Sequence, residues 1–417
     1  MELRETLAKH LDRDGLVQML RTLVSIPSLT GEEDSAQAEM IRMLRELKGE
    51  VDAWRVDVRA LQDQAHFPGG RILTPRLNVV ATFAGTGAGP TLVLNGHMDT
   101  VTAGDEGRWT HPPFRGDVLD DKLYGRGATD MKGGLAAILG ALGAIQEAGI
   151  RLRGSVCVQS VIGEEDGGLG TFAALTRGHR GDAVIVCEPT RLEVVPAHAG
   201  VTLFRITVAG RSAHGAVRAE GVSAFQKFLA VHEALLALES HRNNTLRHPL
   251  YEGNPLPWPL SIGMVTAGTW PAIVPETLTA EGRIGVAIGE RIPDVRRQVE
   301  DAVRRAADQD PWLSEHPPRV EWIGGSWEPT ETPRDHPLVR TLCDAVAAVT
   351  ARPAPVRGAT YGSDLRLFTN SFGMPGTHFG PGDIRQAHFT DEYVAIPEVE
   401  IAALALAITI VRFCGSS

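Results

Sequence analysis

Sulfur and aromatic groups are scarce in this chain: 417 residues hold four cysteines, and Phe, Trp and Tyr make up 6%. Cys157, Cys187, Cys343 and Cys414 have no C-x-x-C spacing, which favours reduced core thiols in a cytoplasm over a disulfide frame. Positive charge is short as well. A net charge of −10 gives no basic footprint for nucleic acid. No stretch of about 18 apolar residues offers a membrane span. The nearest candidate, IPEVEIAALALAITIVRFC (396–414), carries two glutamates in its first turn and reads as a buried helix. The start, MELRETLAKHLDRDGL, is charged and reads as an amphipathic helix, not as a signal peptide. No G-x-S-x-G occurs, which argues against a serine hydrolase. No H-E-x-x-H occurs either, since His232-Glu233 is followed by Ala-Leu-Leu. Internal repeats and low-complexity tracts are absent too.

What is present is ordinary globular material, 43% hydrophobic and 22% charged. The length exceeds the ~250–300 residues at which one core stops growing, so two domains are expected. Thr30-Gly31-Glu32-Glu33 has the form of a capping box before an apolar-periodic helix. Strands LNVVATF and TLVLNG follow, and the GTGAGP between them reads as a hairpin turn. Helix 131–149 and strands SVCVQSVI and DAVIVCE then alternate as in an α/β sheet. From about 200 to 325 the order becomes β-α-β-β-α-β, the ferredoxin-like unit. Helix 336–350, strand GTHFG and the last helix resume the α/β pattern. The expectation is one α/β domain (1–199 and 326–417), a mixed central sheet flanked by helices, interrupted by an inserted α+β domain (200–325).

Five stretches carry chemistry. Gly96-His97-Met98-Asp99 ends an apolar strand with an imidazole and a carboxylate two residues apart, positions that share a face on a strand. A lone strand-end histidine is commonly a hydrogen-bonded core residue, but metal-binding histidines hand their second N–H to a carboxylate, as Asp99 could accept it. Asp130, in GRGATDMKGG, stands where an N-cap belongs. Glu164, Glu165 and Asp166 follow a strand, a composition suited to a solvated loop or to a site. Glu188 ends a buried-looking strand, where acids are rare unless paired or metal-bound. His388 follows Gly380-Pro381-Gly382-Asp383. His97, Asp130, Glu165, Glu188 and His388 thus fall at strand ends or in the loops after them, the edge at which open α/β sheets bind ligands. Two imidazoles and three carboxylates form a ligand set that zinc accepts, with one carboxylate shared between two ions.

These residues resemble the co-catalytic zinc amidohydrolases, a family that includes acetylornithine deacetylase, succinyl-diaminopimelate desuccinylase, aminoacylase and glutamate carboxypeptidase. The resemblance rests on GHMDTV, GRGATDMKGG, GEED, CEPT, GRSAHGA and the late histidine, and covers nearly the whole chain. It implies two divalent ions, zinc with cobalt as an alternative: His97, Asp130 and Glu188 on one, Asp130, Glu165 and His388 on the other. It further implies that Glu164 is the general base and that Asp99 is the partner of His97. The inserted domain would be a dimerising lid whose His214 helps bind the substrate carbonyl in the neighbouring subunit. The expected activity is deacylation of an N-acyl amino acid or related small N-acyl amine; a dipeptidase or carboxypeptidase and a formylaminopyrimidine deformylase are the alternatives. A non-catalytic metal-dependent binder would have no need of Glu164. The chain departs from the family pattern at Gly268-Thr269-Trp270-Pro271-Ala272-Ile273-Val274-Pro275, which lacks the carboxylate-binding Asn, while Glu281-Gly282-Arg283 keeps the arginine. Trp270 leaves packing and a reshaped leaving-group pocket both open. Tyr361-Gly362-Ser363-Asp364 resembles a loop near the family site and receives no role.

Overall fold

A computed structural model describes residues 2–69 and 74–416. The chain divides into two compact units, one comprising Met1–Ala197, Glu331–Arg357 and Ser363–Ser417, the other His198–Thr330 and Gly358–Gly362. The sequence assigns 358–362 to the first domain. The structure groups them with the second, because the Ala359 carbonyl accepts from the Ala199 N–H (2.8 Å) and the Tyr251 hydroxyl (2.8 Å).

In the first unit a mixed sheet runs in the order Glu50–Arg55, Leu77–Phe83, Val156–Val161, Leu92–His97, Ala183–Val186, Gly376–His378, Val194–His198. Leu92–His97 is parallel to Val156–Val161 and to Ala183–Val186, and Gly376–His378 is parallel to Ala183–Val186. Those four strands therefore end at one edge. Both faces are covered, as parallel sheets require. Leu92 and Leu94 pack with helices Gly133–Glu147 and Ile396–Cys414, while Val93 between them joins Val80, Phe172, Val184 and Phe368 on the opposite face.

Three local readings are corrected. Leu77–Phe83 and Leu92–His97 do not form a hairpin, because Val156–Val161 lies between them, antiparallel to the first and parallel to the second. The GTGAGP loop instead runs along 152–153, where the Thr86 N–H donates to the Leu152 carbonyl (3.0 Å) and the Gly87 N–H to Arg153 (2.9 Å). The helix after the capping-box segment begins at Asp34 with Glu33 at its N-cap, and the Thr30 hydroxyl reaches Asp99 instead. Asp130 is no N-cap either. It sits in an irregular turn, Ala128–Lys132, ahead of the regular helix from Gly133.

Among the described residues one helix, Ala128–Glu147, is long and apolar enough to cross a membrane, a different one from the C-terminal run that the sequence singles out. Its most apolar window is 94% buried within the protein, so its composition is accounted for by the core. All four cysteines are free.

The second unit is a four-stranded antiparallel sheet in the order Leu260–Ala267, Thr277–Val286, Gly200–Ala209, Arg319–Trp327. One face is apolar. Phe204, Ile206, Val208, Leu278 and Ala280 pack with Val231, Leu235, Val295 and Val299 of helices Ala224–Thr245 and Ile292–Asp308. The alternate residues Arg205 and Glu281 pair across strands at 2.7 Å, the polar-out half of the period-2 pattern.

Gly134 lets the core helix approach the end of Ala183–Val186, since a Cβ there would overlap the Cys187 carbonyl oxygen. Gly134→Ala is expected to cost roughly 1–3 kcal/mol by overpacking. Urea denaturation checks this, and an unchanged midpoint contradicts it.

Candidate metal centre

The four parallel strands bring the site together. His97 ends Leu92–His97, the turn carrying Glu164 and Glu165 follows Val156–Val161, Glu188 follows Ala183–Val186, and the loop to His388 follows Gly376–His378. His97 Nε2 lies 3.0 Å from Asp130 Oδ1, and His388 Nε2 lies 3.4 Å from Asp130 Oδ2 and 2.9 Å from Glu165 Oε1. One carboxylate therefore stands between two imidazoles. His97, Asp130 and Glu165 each present a donor atom within 4.8 Å of the others. Glu188 is 4% exposed and close enough to His97, Asp130 and Glu165 for mutual electrostatic effect. His388 takes a left-handed backbone (φ 63°), a conformation that non-glycine residues adopt mainly where the surroundings hold them.

Over residues 93–412 the chain matches the model of peptidase family M20/M25/M40. Two curated relatives bear the name N-formyl-4-amino-5-aminomethyl-2-methylpyrimidine deformylase. That from Bacillus subtilis (strain 168) is 27% identical over 413 residues, 93% of this chain and 92% of its own. That from Halalkalibacterium halodurans is 28% identical over 438 residues, 98% and 97% of the two chains. Among solved structures, a dipeptidase from Saccharomyces cerevisiae superposes with TM-score 0.76 at 13% identity, covering 99% of this chain and 98% of that one. A Bacillus subtilis protein described as a dinuclear metal-binding peptidase superposes at 0.61 with 17% identity, covering 96% and 98%. The chain belongs to peptidase family M20/M25/M40. It is a hydrolase of amide bonds.

The electrostatics of this M20/M25/M40 member fit a cationic occupant. Burial, then Asp130, pushes the Glu188 carboxyl up to about 8. Burial and the charge of Asp364 hold Glu164 well above the usual carboxyl range, and burial with Asp130 raises Glu165. His388 is raised to about 10 by its hydrogen bonds to Asp130 and Glu165. His97 is raised well above its ordinary value because Asp130 outweighs its burial. Asp130 is held down by the two imidazoles against its own burial. Protons are thus retained where carboxylates crowd, the condition that a divalent cation relieves. Two imidazoles and three carboxylates suit zinc or a similar borderline ion, so the residues present fit the group.

Asp99 differs from expectation. The strand ends at His97, so the rule that alternate residues share a face no longer governs Asp99. The His97 Nδ1–H donates to the Asp99 backbone carbonyl (2.8 Å), with the carboxylate oxygen at 3.7 Å. The carboxylate instead accepts the N–H groups of Glu164 and Glu165 (3.1 Å each) and the Thr30 hydroxyl (3.0 Å). His214 and Arg283 belong to the second unit. The His214 Nδ1 accepts the Ala216 N–H (3.1 Å), which places the proton of the neutral ring on Nε2. The Arg283 Nη2–H donates to the Thr360 carbonyl (3.2 Å).

Two acids receive no role from the sequence, Asp364 although its loop is singled out there and Glu392 altogether. Asp364, fully buried, is pushed up to about 6 by that burial and is the strongest electrostatic neighbour of Glu164; the YGSD stretch was its signal. Glu392, 1% exposed, accepts from Arg126 Nη1 (2.6 Å) and from the N–H groups of Gly127 (3.1 Å), Thr129 (2.9 Å) and Asp130 (3.1 Å). It ties the His388 loop to the turn that holds Asp130, and only its position four residues after His388 hints at this. Glu392→Gln, which keeps the shape and removes the charge, is expected to weaken metal binding about 10–100-fold. Competition with a chromophoric chelator measures it, and wild-type affinity contradicts it.

Proposed function

We propose that the protein is a di-metal deformylase that hydrolyses the formamide of a small N-formylated aminomethyl heterocycle, of the kind named for its two relatives. The observation that carries the reading is their agreement across nearly the full length of both chains, in a protein lacking the asparagine of the amino-acid carboxylate clamp. Arg283 supports it. Its guanidinium is engaged by a backbone carbonyl and pushed down by burial, a poor display for gripping a substrate carboxylate. Trp270 is 66% exposed, so it is not core packing and stands available to an apolar ring. Hydrolysis of an N-acyl amino acid is the second reading, and it would require the Arg283 guanidinium to leave the Thr360 carbonyl for a substrate carboxylate.

His97, Asp130 and Glu188 would hold one zinc ion, and Asp130, Glu165 and His388 the other. Bound zinc supplies Lewis acidity and brings the pKa of a water toward ~7. Glu164, beside the ligand Glu165 on one turn, takes the proton of the attacking water and returns it to the leaving amine. His214, with its proton on Nε2, donates in the neighbouring subunit's site to the carbonyl oxygen as negative charge grows there.

A homodimer through the second unit belongs to this reading. Leu260–Ala267 is an edge strand with Met264 and Val265 exposed, and Phe225, Leu229 and Leu236 are exposed on Ala224–Thr245.

Formate release by the zinc-loaded protein from N-formyl-4-amino-5-aminomethyl-2-methylpyrimidine, beside N-acetylornithine, N-succinyl-diaminopimelate and dipeptides, tests the substrate. The pyrimidine is expected to have the highest kcat/KM, and preference for an N-acyl amino acid would reverse the order of the two readings. Glu164→Gln is expected to retain two metal ions and lose nearly all turnover; retained turnover reassigns the base. His214→Ala is expected to lower kcat about 100-fold or more with metal content unchanged, and near-normal kcat removes its role.

A further inference from the structure

We infer that the segment Thr30–Glu33 is a positioning device for the Glu164–Glu165 turn, with the Thr30 hydroxyl as its decisive atom. This rests on the reading of Glu164 as the base. The turn closes on itself through the Gly167 N–H to the Glu164 carbonyl (2.9 Å) and the Gly168 N–H to the Gly163 carbonyl (2.8 Å). It begins at Gly163 in a left-handed conformation (φ 65°) and carries two adjacent carboxylates that repel each other and the neighbouring Asp364. A base must hold its oxygen within a few tenths of an ångström of the proton it takes.

Two contacts grip the turn. On one side, Asp99 Oδ1 accepts the Glu164 N–H and Asp99 Oδ2 the Glu165 N–H, both at 3.1 Å, so one fully buried carboxylate spans the dipeptide. The Thr30 hydroxyl, from outside the turn, is a third donor to this carboxylate, reaching Oδ2 at 3.0 Å. Thr30 is itself fixed, its N–H donating to the Thr100 carbonyl (3.1 Å) beside the bridge from Leu29 to Thr100. On the other side, Glu33, fully buried, pairs through Oε1 with Arg76 Nη1 at 2.5 Å. The Arg76 guanidinium lies under Gly163, where an added Cβ would meet Nη2 at 3.1 Å. Four residues after Glu33, Gln37 exchanges two hydrogen bonds with Ser160, at 2.8 Å each, at the end of the strand that feeds the turn. The residues that read as a capping box thus act across the sheet edge on the turn, while the helix they precede makes no side-chain cap.

Thr30→Val keeps the shape and removes the donor, and Thr30→Ser restores it. Hydrogen–deuterium exchange on the metal-free protein reads the turn directly. In Thr30→Val, peptides covering 162–168 are expected to exchange about tenfold faster, as loss of a hydrogen bond to a charged acceptor implies, with peptides of Leu92–His97 unchanged. With the zinc-loaded protein and the N-formylpyrimidine, kcat is expected to fall about tenfold while KM and metal content hold. Thr30→Ser is expected to recover both. Unchanged exchange and kcat in Thr30→Val overturn the inference, and so does equal loss in Thr30→Ser, which would assign the effect to the methyl group. Glu164→Gln separates this from the parent reading: full turnover there removes the base, while unaltered exchange in Thr30→Val removes the bracket alone.

Discussion

The structure of the first unit depends on the convergence of carboxylates at the carboxyl edge of its parallel strands. Asp130, Glu164, Glu165, Glu188 and Asp364 meet there with two imidazoles, in surroundings that disfavour charge. Such a cluster opposes folding unless positive charge balances it, because each buried anion raises the cost of the next. Much of the nearby architecture restrains that repulsion. Glu392 orders the backbone around Asp130, Asp99 orders the backbone of the Glu164–Glu165 turn, and Gly134 admits the core helix against the Cys187 carbonyl beside Glu188.

The parts of this arrangement visible in the sequence are those set by short-range chemistry. Strands of continuous apolar residues predicted the parallel core, and acids or histidines at their ends marked the edge where a site belongs. His97, Asp130, Glu165, Glu188 and His388 could be named because all five fall at strand ends or in the loops after them and lie in motifs of the resemblance, although Asp130 taken alone reads as an N-cap. What stayed hidden depends on contacts between distant segments. The hairpin reading of 77–97 failed because the strand that separates the two halves arrives about sixty residues later. The Thr30 capping reading failed because a hydroxyl that can cap can also cross to Asp99, and sequence spacing does not rank the two. Glu392 was missed because its role lies in three backbone N–H groups more than 260 residues away, which leave no side-chain pattern.

The second unit is simpler to read and harder to assign. Its strand order and one-sided core follow from alternating patterns, and its helices carry the period that buries Val231, Leu235, Val295 and Val299. Its chemistry rests on fewer groups. His214 presents an oriented donor, the Arg283 guanidinium is engaged by the Thr360 carbonyl, and Trp270 is exposed.

We propose that the carboxylate cluster holds a pair of divalent ions that share Asp130. Anomalous diffraction at the zinc edge from crystals of the zinc-loaded protein addresses it most directly. Two peaks are expected about 3.5–4 Å apart on either side of the Asp130 carboxylate, one beside His97 and one beside His388. A single peak, or a pair that does not share Asp130, would contradict it.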